Sequence, residues 1–541
     1  MNHLLETFTL PGAWPWNSQT FEPGILTTYD SILSEEVAYN EAWIEPPRTP
    51  PVAPRTAVHR LPAEIWVAVC EALRRLDLID AMKQHKLGRV AYPELLLTTT
   101  NKNRLDLIIT AHSVLQLSRT CHYLRTVTSP SLLKNIRLSP SYSVSPNESV
   151  YLSVIRQVKS LHLNSNQELR HVTRFAVAFP PQFTSRDGET TNKGELRGQL
   201  RSLLIRLPNL RHLSFVGMEL DVPLLRSILT LPLEHLWLWG AEADQPVADG
   251  TFTLTTEPTI RLRSLVVRGG LRRGAVSLPA NWVSHLIGPT MQDLAFDVNA
   301  LDWSNLPVLP NLEFLEIPKS SRTAQIGPES VLSVLSRTPD LKEVALEIEA
   351  PPGYPSSTFP TFPRLHRIIC HPSWLRYLIP GNSVTVAKVL CDRDSRVRVQ
   401  ELSEILNEGS VPLRNLSISY TSVWPQGAWS PDDLEHVVRY FPELEIFRFR
   451  MQDPKLASLQ QAIFYISRLD KLRLISFGFP AARRDILDDA WQELKLREFL
   501  GRTKSRVLER INFVGKGEWK LEKARVWKLW EEGIVVRTVS L

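Results

Sequence analysis

The octet "PNLRHLSF", residues 208–215, places Leu210, Leu213 and Phe215 at a step of three and then a step of two. A step of two puts side chains on one side of an extended strand. The same pattern returns in "PNLEFLEI" (310–317), "PDLKEVAL" (339–346), "PRLHRIIC" (363–370) and "PELEIFRF" (442–449). Without the proline, the form L-x-x-L-x-L begins at 158, 210, 233, 262, 291, 312, 341, 365, 386, 413, 444, 472 and 508. Most of these starts lie roughly 20–30 residues apart, the period of a leucine-rich repeat. The gap from 158 to 210 is wider and leaves room for one degenerate unit, with "SRDGETTNKGE" (185–195) as a loop insertion.

Helix-like stretches stand between the strands, among them "DVPLLRSILTL" (221–231), "GPESVLSVLSR" (327–337) and "SPDDLEHVVRYF" (430–441). One strand and one helix cannot bury their own apolar sides, whereas stacked neighbours can. Residues 150–541 are therefore expected to form an α/β repeat, a curved solenoid with strands on the concave side and helices on the convex side. The asparagine of strict leucine-rich repeats is nearly missing, and only Asn166 and Asn299 fall in its slot.

The chain of 541 residues is too long for one ordinary core. Residues 1–58 hold seven acids and two bases, a net of −5, and end in the proline-rich "EPPRTPPVAPR". Proline at that density favours extended chain, so this segment reads as a flexible lead. The whole chain carries +6, so the remainder carries +11, a modest excess for its length. The basic clusters "RGGLRRG" (268–274) and "KLREFLGRTKSR" (495–506) read as solvated surface. No apolar run is long enough for a membrane span, and the N-terminus lacks the pattern of a secretory signal. Four scattered cysteines fit neither a disulfide framework nor a zinc site, and imply a reducing compartment, cytoplasm or nucleus.

Two amphipathic helices are expected ahead of the repeats. "LPAEIWVAVCEALRRL" (61–76) opens with Pro62 in a first-turn position, followed by Ile65, Trp66 and Val69 on one side. "VLQLSRTCHYLR" (114–125) carries Val114, Leu117, Cys121 and Leu124 as a stripe. Then "SPSLLKNIRL" (129–138) reads as a short capped helix and an extended segment. These stretches resemble the F-box module of fungal F-box proteins with C-terminal leucine-rich repeats. The likeness rests on the Leu61-Pro62 start, on Cys121 at a position where the family often has cysteine, and on the ending at 129–138. Leu124 stands where many members have tryptophan, and the 77–111 connection is longer than usual for the family.

The resemblance implies an architecture of a small α-helical F-box module (59–140) followed by the repeat domain. It also implies a substrate receptor. The module would dock on a Skp-family adaptor, and through it a cullin, using Leu61, Pro62, Ile65, Trp66, Val69, Leu117, Cys121 and Leu124. The repeats would hold an unknown target protein. The alternative for the 114–124 stripe is internal packing, and part of it must serve that purpose.

Strand alternation marks candidates for target binding. With Leu236 and Leu238 inward, His235, Trp237 and Trp239 face outward, and the same rule exposes Arg268. Further along it exposes Asp293, Asp297, Glu316, Glu343 and Glu347, then Arg448 and Arg450. Tryptophan and arginine dominate binding hot spots, so the patch can grip a partner, or loops and the N-terminal lead can cover it.

Catalytic chemistry finds no support. Cys121 and His122 are helix neighbours, which point about 100° apart. "VGKGEWK" (514–520) lacks the full phosphate-loop pattern, and no nucleophile-elbow, zinc-protease or dinucleotide motif occurs. No cofactor, metal, nucleic acid or membrane partner is expected. Three rival readings stand beside the ligase receptor: a repeat scaffold with a degenerate F-box, a nucleic-acid-binding solenoid resting on the residual positive charge, and an enzyme.

Overall fold

The computed structural model describes residues 65–66, 68–69, 133–140, 149–164, 166–179, 190–243, 261–268, 278, 280–296, 306–318, 328–350, 359–391, 399–420, 431–450, 456–478, 489–503, 505, 507–513, 517–523, 526–531 and 534–540. The 1–58 lead, the 77–111 connection and Leu61, Pro62, Leu117, Cys121, Leu124, Asp297 and Asn299 lie outside them. The chain divides into two units near residues 291–303.

In the first unit five strands run parallel: β1 (Asn135–Leu138), β2 (Arg174–Ala178), β3 (His212–Val216), β5 (His235–Trp239) and β7 (Ser264–Arg268). Each pairs with the next without a register slip, as in Phe175↔Leu213↔Leu236↔Leu265. A separate two-stranded pair, β4 (Glu219–Leu220) and β6 (Glu242–Ala243), follows the ends of β3 and β5. The inward residues Phe175, Val177, Phe215, Leu236, Leu238 and Leu265 have no solvent exposure.

The returning helices supply the other side of this core. Helix Val222–Leu229 starts where Asp221 Oδ1 accepts from the Leu224 N–H at 2.9 Å, with Pro223 in its first turn. It buries Leu224, Leu225, Ile228 and Leu229. Helices Val150–His162, Thr190–Ile205 and Val222–Leu229 pack side by side in chain order. Trp282, wholly buried, donates from Nε1 to the Leu225 carbonyl at 3.0 Å.

Tight left-handed turns end the central strands. Gly217 and Gly240 have φ near +65° and +60°, a conformation that side chains other than glycine rarely adopt. The Gly217 N–H donates to the Trp239 carbonyl and the Gly240 N–H to the Arg268 carbonyl, both at 2.8 Å. Backbone bonds of this kind tie successive repeats together without the usual asparagine. Asn166 is not a repeat asparagine: it opens the short helix Asn166–Leu169, and its Oδ1 accepts from Arg206 Nε at 2.8 Å.

The second unit repeats the design. β8 (Asp293–Phe296), β9 (Phe314–Ile317), β10 (Glu343–Leu346), β11 (Arg367–Cys370), β12 (Val386–Cys391), β13 (Asn415–Tyr420), β14 (Ile446–Arg450), β15 (Leu474–Gly478) and β16 (Arg510–Phe513) are parallel. After β16 the repeat gives way to three antiparallel strands, β17 (Gly517–Lys523), β18 (Val526–Glu531) and β19 (Ile534–Ser540). They bury Trp519, Trp527 and Leu529 and pair the edge of β16, which would otherwise offer an unpaired row of backbone groups. The "VGKGEWK" stretch thus enters a hairpin strand at Gly517.

Several sequence expectations are corrected. The start at 158 belongs to a helix, Val150–His162, in which Val154, Ile155, Val158 and Leu161 are buried. The strand of the missing unit is β2, carried by Val172, Phe175 and Val177. The 185–195 stretch is not wholly a loop, because a helix begins at Thr190. The start at 386 belongs two residues earlier: Ile368 and Cys370 pair with Ala387 and Val389, which makes Val384 the first apolar position. "KLREFLGRTKSR" is not uniformly solvated either. Lys495 is buried against Glu498 at 2.7 Å, and Arg497 pairs with Glu493 at 2.9 Å.

Candidate binding surface

Alternation along β1, β2, β3, β5 and β7 places fourteen positions on the side opposite the inward leucines, of which Ala178 and Ser264 are buried, and register arranges them in three rows. The first row is Asn135, Arg174, His212, His235 and Ser264. The second is Arg137, Ala176, Ser214, Trp237 and Val266. The third is Ala178, Val216, Trp239 and Arg268. His235, Trp237, Trp239 and Arg268 therefore share one surface on adjacent strands, all half-buried.

Two contacts organise this surface. The His212 and His235 rings stack with centroids 4.2 Å apart and planes 3° from parallel. The Arg268 guanidinium lies over the Trp239 ring, 4.7 Å from its centroid. A cation on an indole face is held by the ring quadrupole. Both contacts join residues that face each other across neighbouring strands.

Sequence reasoning did not single out Arg137, Arg174 or His212. The spacing Val172, Phe175, Val177 marks β2 and would have placed Arg174 beside His212.

Two acids that flank these strands, Glu234 and Glu219, bond to nearby cations. Glu234 bonds to Arg211. Glu219 bonds to Lys193 and lies 4.0 Å from Arg197, which also reaches Asp221 at 3.4 Å.

In the second unit the outward positions of β8 to β10 include Asp293, Phe314, Glu316 and Glu343, with Glu347 just beyond β10. Glu343 faces Arg367 on the next strand at 3.5 Å, and His366 lies 3.8 Å away. Arg448 stands on β14 in register with the buried Ser417 and Ser476. Arg450 is the last residue of β14 and its side chain lies outside the described set. Arg448 and Arg450 thus belong to a different unit from the Trp237 patch.

Ahead of the repeats, Ile65, Trp66 and Val69 lie in a helical turn. Ile65 is 47% exposed, and Trp66 and Val69 are half-buried. Cys370 is buried on β11, and burial, with Cys391 second, pushes its thiol far above the ordinary range, which makes it unreactive. Among the described residues no cluster of His, Cys, Asp or Glu could hold a metal, and no helix is long and apolar enough to cross a membrane.

Parallel strands joined by helices, with turns recurring at a leucine-rich-repeat period, define a leucine-rich-repeat-like α/β fold. No family model matches the chain, and no curated protein does. Among solved structures, the crystal structure of a TLR13–ssRNA13 complex is similar at a TM-score of 0.33 and 13% identity. That match covers 65% of this chain and 44% of the other, so the chain spans less than half of that neighbour's length.

Proposed function

We propose that this chain is a protein-interaction scaffold acting as the substrate-recognition subunit of a Skp–cullin–F-box ubiquitin ligase, without catalysis of its own. The repeats hold the target and the N-terminal module docks on the adaptor. The observation that carries the target half is the outward surface of β2 to β7, where half-buried indoles, two guanidinium groups and stacked imidazoles line up in register. Tryptophan and arginine dominate protein-binding hot spots. The adaptor half rests on the resemblance at 60–76 and 114–138, with the exposed Ile65 as support. Burying one such side chain in a partner contributes roughly 1.5–3 kcal/mol.

A scaffold that recruits no ligase is the second reading, favoured by the long 77–111 connection. Affinity capture with mass spectrometry separates the two. Pro62→Ala/Ile65→Ala is expected to lose a Skp-family adaptor and its cullin while keeping the target. Trp237→Ala/Trp239→Ala is expected to do the reverse. A wild-type chain that captures targets and no adaptor leaves only the scaffold reading.

A further inference from the structure

Successive strands are entered through residues whose N–H bonds to the carbonyl of the counterpart one repeat earlier. In the first unit Arg211, Glu234 and Arg263 form such a series, with N–O distances of 2.9 and 2.7 Å. In the second unit Lys342 follows Glu313 at 2.9 Å, and Arg414, Glu445, Arg473 and Glu509 follow one another at 2.8, 2.7 and 2.8 Å. Thr173, Gln292, His366 and Thr385 occupy the same place in other repeats. Wherever Lys, Arg, Asp or Glu stands at two consecutive entries in these series, the two have opposite sign. The side chains meet accordingly. Glu234 bonds to Arg211, and Glu313 lies 2.7 Å from Lys342. Glu445 lies 3.5 Å from Arg414 and 3.9 Å from Arg473, which also reaches Glu509 at 2.9 Å.

Solvent-exposed ion pairs of this kind add little to stability. Their sign pattern does something the core cannot. The inward residues of successive strands are nearly interchangeable: Leu416, Phe447, Ile475 and Ile511 are all apolar and 1% exposed or less. A strand that skipped its neighbour would meet a similar apolar surface. It would also bring together entry residues two repeats apart, and these are like-charged: Arg211 with Arg263, Arg414 with Arg473, Glu445 with Glu509. Correct stacking therefore attracts at each step, whereas a skipped repeat repels. Repeat proteins characteristically fail by such misassembly, within one copy or by exchange between two.

We infer that the alternating charges at the strand entries select which repeat stacks on which, a guard against skipped and swapped repeats that acts with little effect on stability. This role is separate from target binding and concerns the assembly of the domain that carries it.

Refolding of the full chain from denaturant at low salt tests this, read as the fraction recovered with the size and hydrogen-exchange pattern of the wild type. Glu445→Arg sets three cations side by side. Its ratio of correct to wrong assembly is expected to fall about tenfold, the effect of two exposed pairs turned from attraction to repulsion. High salt, which screens exposed charges, is expected to restore it. The fourfold reversal Arg414→Glu/Glu445→Arg/Arg473→Glu/Glu509→Arg recreates the alternation in the opposite phase and is expected to refold like the wild type. The neutral variant Arg414→Gln/Glu445→Gln/Arg473→Gln/Glu509→Gln is expected to keep the wild-type unfolding midpoint yet yield more wrongly assembled chain. The inference is overturned if Glu445→Arg refolds like the wild type, or if its loss is unchanged in high salt. It is also overturned if the fourfold reversal refolds as poorly as Glu445→Arg, or if the neutral variant assembles as faithfully as the wild type. The fourfold reversal keeps the test decisive even where Glu445→Arg does not fold, because three further substitutions would not rescue a chain whose packing the first had damaged.

Discussion

On β2, β3 and β5 of the first unit the leading outward residues are Arg174, His212 and His235; on β8, β9 and β10 of the second they are Asp293, Phe314 and Glu343. The inward residues of the same strands hardly differ, with Phe175, Leu213 and Leu236 in one set and Leu294, Leu315 and Val344 in the other, all 2% exposed or less. The inward positions must fill a close-packed core, so folding restricts them to apolar residues. The outward positions bear no such restriction, and their chemistry diverges. In the second unit Glu343 also has a neighbouring cation, Arg367, whereas the leading outward positions of β2, β3 and β5 carry a cation and two imidazoles. The contrast is the reason for assigning recognition to the first surface.

The largest effect expected from this contrast separates the two sides of a single strand. Leu238→Ala removes a side chain with no exposure and should cost about 2–5 kcal/mol of stability. Its neighbour Trp237→Ala should cost about 1 kcal/mol while removing target capture. Chemical unfolding of both variants checks this, and equal losses would show that Trp237 is part of the core. Next in size is the turn that ends β3. In Gly217→Ala the new Cβ would lie 2.6 Å from the Phe179 carbonyl oxygen at a positive φ, a strain of about 1–3 kcal/mol. Faster hydrogen exchange at the ends of β3 and β5 is the expected sign. The smallest effect belongs to Arg367→Ala. It removes a half-exposed pair with Glu343 and should change stability by less than about 1 kcal/mol, diminishing further in salt. Because Arg367 lies in the second unit, this substitution should leave target capture unaltered.

The repeat was legible where three large apolar residues stood together, as at Leu210, Leu213 and Phe215. It was misread where a helix can satisfy the same spacing. Val158 and Leu161 are three apart, which suits a helix as well as a strand start, and Val154 and Ile155 extend the helical side. Leu163, the third residue of that apparent motif, is 64% exposed and takes no part in a core. At β12 the small Ala387 disguised the true start at Val384. At the chain's end the repeat signal at Leu508, Ile511 and Phe513 gave no hint that the following strands turn antiparallel. That depends on hairpin pairing rather than on apolar period.

The period and the inward residues were therefore determined by sequence alone, because burying apolar side chains at steps of three and two is a local requirement repeated in each unit. The neighbours of each outward residue were decided only by tertiary structure. His212 and His235 are 23 residues apart, and Trp239 and Arg268 are 29 apart. Each pair meets because parallel strands join without a register slip, and that alignment is set by the stacking of whole repeats.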